Sequence, residues 1–165
     1  MFYARIADWP PFPLRSQVQW YIRTIASLIC ACGADAGPQL ADGLTAAMAT
    51  HAATDSSLPA FALRTLLPYL SRGNTPEPLQ AVALWAAGEF GAEGDREAVE
   101  DAIDAVCGLS GSVRLPPAQT QRAVLALGKL AARSGGGLSA EGEALLSQVR
   151  ERGGCMQRAM RAAGW

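Results

Sequence analysis

Pro78-Leu79-Gln80-Ala81-Val82-Ala83-Leu84-Trp85-Ala86-Ala87-Gly88-Glu89-Phe90-Gly91 is echoed downstream by Gln121-Arg122-Ala123-Val124-Leu125-Ala126-Leu127-Gly128-Lys129-Leu130-Ala131-Ala132-Arg133. Slid forward by 40 residues, the first stretch places Ala83 on Ala123, Ala86 on Ala126 and Gly88 on Gly128. Apolar residues also meet apolar residues at Leu84/Val124, Trp85/Leu125 and Phe90/Leu130. Three identities alone are weak in an alanine-rich chain. The boundary signals match as well: Pro76 and Pro78 precede the first stretch, and Pro116-Pro117 precede the second. Proline is tolerated in the first helical turn, where its missing N–H costs nothing, and so marks a helix start. The two stretches read as equivalent helices of a repeat. Trp85 and Phe90 are expected to pack, and Gly88 and Gly128 to let neighbouring helices approach closely. Glu89, ill-placed for the helix dipole, is expected to accept hydrogen bonds from a neighbouring turn.

Working outward, the same punctuation recurs. Residues 1–16 contain Trp9-Pro10-Pro11-Phe12-Pro13 and read as an irregular lead-in. Val18, Tyr21, Ile22, Ile25, Leu28, Ile29 and Cys32 have helical spacing, with Gly33 placed as a left-handed cap. A second helix follows Pro38, with Leu40, Leu44, Ala47 and Met48. A third follows Ser56-Ser57, carrying Leu63, Leu66, Leu67 and Leu70, with Pro68 expected to weaken its end. A fifth starts near Asp95, with Val99, Ile103, Val106 and Cys107 turned inward. Ser134-Gly135-Gly136-Gly137 breaks the chain after the sixth, and Ser139 suits the N-cap of a seventh carrying Leu145, Leu146 and Val149. Gly153-Gly154 precedes a last short segment ending at Trp165. No stretch alternates as a strand would. The expected fold is all-α, a HEAT/armadillo-like α-solenoid of about four helix pairs over residues 17–165.

Composition agrees. Half of the residues are apolar, enough for one cored domain, and the 17 glycines favour many short helices over one long coiled coil. The net charge of −1 gives no bulk attraction to nucleic acid, and no nucleic-acid partner is expected. Charge is nonetheless uneven. Residues 76–104 carry eight acids against one arginine, a net −7, whereas residues 105–165 carry eight bases against three acids, a net +5. Solvated helix faces are the ordinary explanation. No apolar run reaches the roughly 20 residues that span a bilayer, and no leader segment is read at the N-terminus. Cys30, Cys32, Cys107 and Cys155 read as reduced thiols of a cytosolic protein.

The polar residues make a poor case for chemistry. His51 is the single histidine, so neither a metal cluster nor a paired proton shuttle can be assembled around it. Ser110, Ser112 and Ser134 sit beside glycines but have no partner base in view. The Ser134–Gly137 loop lacks the Gly-Lys-Ser/Thr ending of a phosphate loop, and the acids from Glu89 to Asp104 lack the ligand pattern of a calcium loop. A non-enzymatic protein with no catalytic residue, cofactor or metal is expected.

The stretch with Trp85 and then Gly88-Glu89-Phe90-Gly91 resembles a segment of the adaptin large subunits, where an apolar helix carries a tryptophan and then Gly-Glu-aromatic-Gly. The stretch ending Gly128-Lys129-Leu130-Ala131-Ala132-Arg133 is similar to the next helix of that family. Gln19-Trp20-Tyr21-Ile22-Arg23-Thr24-Ile25 resembles the family's Trp-aromatic-Ile-x-Thr helix, and Cys155-Met156-Gln157-Arg158-Ala159 its Gln-Gln-Arg-Ala run, although Gly154 stands where the family has an acid. These motifs occur in the family's order over about residues 19–160. The lysine–leucine–arginine ending leans to the gamma type, with the alpha, delta and epsilon types as alternatives. The resemblance is to the trunk of the subunit and includes neither its clathrin-binding hinge nor its ear.

The resemblance implies a scaffold in clathrin-coated vesicle transport. Its partners would be the medium, small and second large adaptor subunits, with membrane and clathrin met indirectly. Its place would be peripheral, on trans-Golgi and endosomal membranes. Two alternatives differ in class: a HEAT or armadillo scaffold outside trafficking, and a small helical enzyme.

Overall fold

The computed structural model describes residues 14–33, 35–72, 74–91, 96–112 and 116–134, together with Ser147. They form six helices: α1 (Leu14–Cys32), α2 (Gly37–Ala52), α3 (Leu58–Leu66), α4 (Glu77–Phe90), α5 (Arg96–Ser112) and α6 (Pro117–Ser134). No strand occurs among the described residues. The expected seventh helix, apart from Ser147, and the last short segment lie outside them.

The local signals act as their chemistry dictates. Gly33 takes φ +59°, and its N–H bonds Ile29 O at 3.0 Å to close α1. Asp55 Oδ1 accepts from both Ser57 N (3.0 Å) and Ser57 Oγ (2.7 Å), shaping the turn into α3. Pro68 has no N–H to continue α3, and the chain tightens there into a single 3₁₀ turn over Leu67–Tyr69. In two respects the helices depart from expectation. Helix α1 begins at Leu14, inside the expected lead-in, because Pro13 does not obstruct a helix that starts just after it. Trp20 and Leu28 in α1, both apolar, are 54% and 42% exposed, while the adjacent faces bury Ile22, Ala26 and Ile29.

The even-numbered helices begin at residues 37, 77 and 117, a repeat of 40 between successive starts. Each carries proline in its first turn. They form one row, α2 against α4 and α4 against α6, the second being the most extensive contact among the described helices. On the other side, α1 packs on α3, whereas α5 meets the 3₁₀ turn that follows α3. Consecutive helices pair: a Cβ on Gly37 would face Ile29, and one on Gly43 would face Tyr21, so α1 and α2 run antiparallel.

Helix α4 lies at the centre. It buries Leu79, Val82, Ala83, Leu84, Ala86, Ala87, Gly88 and Phe90, covering most of its circumference, because it is flanked by α2, α3 and α6 at once. Trp85 is half-buried and meets Phe90 edge to face, with ring centroids 5.3 Å apart. Arg23 of α1 lies over the Phe61 ring of α3, 5.0 Å from its centroid.

Candidate functional site

Among the described residues, a dense set of polar contacts between helices joins the C-terminal ends of α4 and α6. Glu89 occupies the last turn of α4, where exposed carbonyls already concentrate negative charge. Lys129 and Arg133 lie one turn apart on α6 and both reach it. Lys129 Nζ donates to Glu89 Oε1, and Arg133 Nη2 donates to Oε2 at 3.0 Å. Arg133 Nη1 also donates to the carbonyls of Glu89 (2.6 Å) and Gly88 (3.3 Å). One guanidinium therefore caps α4 from the neighbouring helix while pairing its carboxylate. The Lys129 hydrogen bond, then that of Arg133, and the charge of both hold the Glu89 carboxyl below its usual range, against the upward push of burial.

Close backbone approach puts the two helices within this reach. A Cβ at Gly88 would stand 2.9 Å from Ala126 Cα, and one at Gly91 would stand 2.5 Å from Leu130 Cδ2 and 3.1 Å from Ala102 Cβ. At the opposite end, Gln119 is fully buried, and its Nε2 donates to Glu77 O at 2.9 Å. Starts therefore meet starts and ends meet ends, so α4 and α6 are parallel.

The residues singled out by sequence fall into distinct places. Gly88, Glu89, Gly91, Lys129 and Arg133 meet at the α4–α6 contact, whereas Trp85 packs edge to face on Phe90, which lines the space between α3 and α5. Ile22 is buried in α1, Thr24 is half-buried there, and Trp20 stands exposed on the same helix, away from that contact. Gln157 and Arg158 lie outside the described residues. Two expectations need correction. Gly128, expected to permit close approach as Gly88 does, is exposed, with nothing within 4 Å of a Cβ built on it. Glu89, expected to accept hydrogen bonds from a neighbouring turn, takes them from two side chains of the next helix. Gln119 was not foreseen, since a glutamine in a first helical turn looks like any solvated residue.

His51 is half-buried in the last turn of α2, and its carbonyl accepts from Thr54 and Asp55. The side chains of Ser110, Ser112 and Ser134 lie outside the described set. No group of three or more His, Cys, Asp or Glu side chains that could hold a metal occurs among the described residues. Cys30, Cys32 and Cys107 are free thiols, while Cys155 lies outside the described residues. No described helix is long and apolar enough to cross a membrane. Comparisons with protein-family models, with curated proteins and with solved structures each returned no match.

Proposed function

We propose that this chain is a non-enzymatic α-solenoid scaffold of HEAT/armadillo type, serving as part of an adaptor-complex trunk in vesicle-mediated protein transport. The observation that carries the solenoid reading is the parallel seating of α4 and α6 in register with the 40-residue repeat. Glu89 pairs with Lys129, and 40 residues separate them. Stacked equivalent units bring equivalent positions together in this way, each unit covering the apolar face of the next.

The trafficking reading rests on the ordered adaptin-like motifs, several of which lie at this contact. A stack of helix pairs presents extended surfaces to protein partners and needs no catalytic group. Its partners would be the medium, small and second large adaptor subunits, and it would meet the trans-Golgi or endosomal membrane and the clathrin coat through them. The repeat itself equally favours a HEAT or armadillo scaffold outside trafficking, so the test must address partners. Tagged chain co-expressed with the three other adaptor subunits is expected to recover the medium and small subunits at near-equal amounts. Recovery of the tagged chain alone, with correctly folded partners left in the unbound fraction, would remove the trafficking assignment.

A further inference from the structure

The two rows of helices are not equally closed. Gly88 and Gly91 draw α6 tightly onto α4, whereas among the described residues α5 meets the 3₁₀ turn after α3 and packs little on the body of α3. Between α3 and α5 runs an open groove of about 680 Å³. One wall is the stripe Pro59, Leu63 and Leu67, the other Ala98 and Ala105, and Phe90 of α4 contributes to the lining between them. Charges flank this apolar lining. Arg64 belongs to the α3 wall, and Asp101 and Asp104 to the α5 wall. All three are exposed, and none forms an ion pair among the described residues.

We propose that this groove docks a short amphipathic helix of a partner protein, with its apolar stripe inward, a basic flank against α5 and an acidic residue opposite Arg64. Three observations select that occupant. The walls are helices and offer no free sheet edge, so an entering segment must satisfy its own backbone hydrogen bonds, as a helix does. Helix α3 and its 3₁₀ turn present roughly 20 Å of wall, a length matched by three to four helical turns. Asp101 and Asp104 on the α5 wall draw a basic flank to that side of the groove, and the opposed Arg64 fixes which way round it lies. The proposal depends on how α3, α4 and α5 pack and not on the trafficking assignment, so either can fail without the other.

The test uses the whole chain and two fluorescein-labelled 14-residue helical peptides with the same leucine stripe, one flanked by arginines and one by glutamates. Fluorescence anisotropy at low salt is expected to show the arginine peptide binding about tenfold tighter or more. Ala60→Trp adds bulk to an exposed lining position and is expected to abolish binding with the melting temperature unchanged. The double substitution Asp101→Lys/Asp104→Lys is expected to reverse the peptide preference. Equal affinity for both peptides, no binding by either up to about 100 μM, or binding that survives Ala60→Trp would overturn the proposal. So would a monomer–dimer equilibrium in sedimentation that Ala60→Trp abolishes, because the occupant would then be a second copy of the chain.

Discussion

A Cβ at Gly88 would come 2.9 Å from the backbone of Ala126, whereas one at Gly128 would meet nothing within 4 Å. The two glycines hold the same place in equivalent helices, so the sequence alone treats them alike. What separates them is which face has a neighbour: α6 lies on Gly88, but no described residue lies on Gly128. Substitutions should therefore diverge in sign. Gly88→Leu is expected to lower stability by about 1–3 kcal/mol through overpacking, because the obstructing atom is backbone and cannot swing aside. Gly128→Ala is expected to raise it by about 0.5–1 kcal/mol, the helix-propensity difference, with no steric penalty. Urea unfolding of the two variants beside the parent checks both signs, and equal shifts in one direction would contradict the close approach.

At the level of the element, the end of α4 is a helix terminus finished by its neighbour. An acid in the last turn opposes the helix dipole, which makes Glu89 unfavourable in isolation. Lys129 and Arg133 reverse that balance, and Arg133 also satisfies two carbonyls that α4 cannot. Because the folded-state pKa of Glu89 is lowered, the stability it contributes is fully present above the ordinary carboxylate value of 4.5 and is lost as pH falls through the lowered one. Glu89→Gln is expected to cost about 1 kcal/mol or less at neutral pH, the pair being partly exposed and screened. The gap to the parent should close as the pH falls through that lowered value. Thermal melts across pH 2.5–7 read this directly, and a gap that persists at the acid end would mean the carboxylate charge is irrelevant to the joint.

The starts and stops of these elements were legible in the sequence, because proline in a first turn, Gly33 at a C-cap and Pro68 at a helix end act through local backbone sterics. Partners across elements were not. Glu89 and Gln119 bond to groups 40 and 42 residues away, and only the relative placement of α4 and α6 brings them together. The exposure of Trp20 follows likewise from which face of α1 meets α2 and α3, a choice that its nearly all-round apolar surface leaves open.

At the scale of the whole molecule, three even-numbered helices form one row repeating every 40 residues, with α4 buried at the centre and α6 parallel to it. A scaffold reading stands on that arrangement before it stands on any partner. If α6 crossed α4 the other way, the ends of α4 would lose Gln119 and Arg133, and Glu89 would no longer meet Lys129. Gly88 lies close enough to the Ala126 backbone to be well within nuclear Overhauser range. A three-dimensional NOE spectrum of the labelled chain tests the arrangement most directly. A strong cross-peak is expected between Gly88 Hα and the Ala126 methyl, and another between the Gln119 side-chain amide and the first turn of α4. Cross-peaks joining Gln119 to the Phe90 end of α4, with none from Gly88 to Ala126, would contradict it.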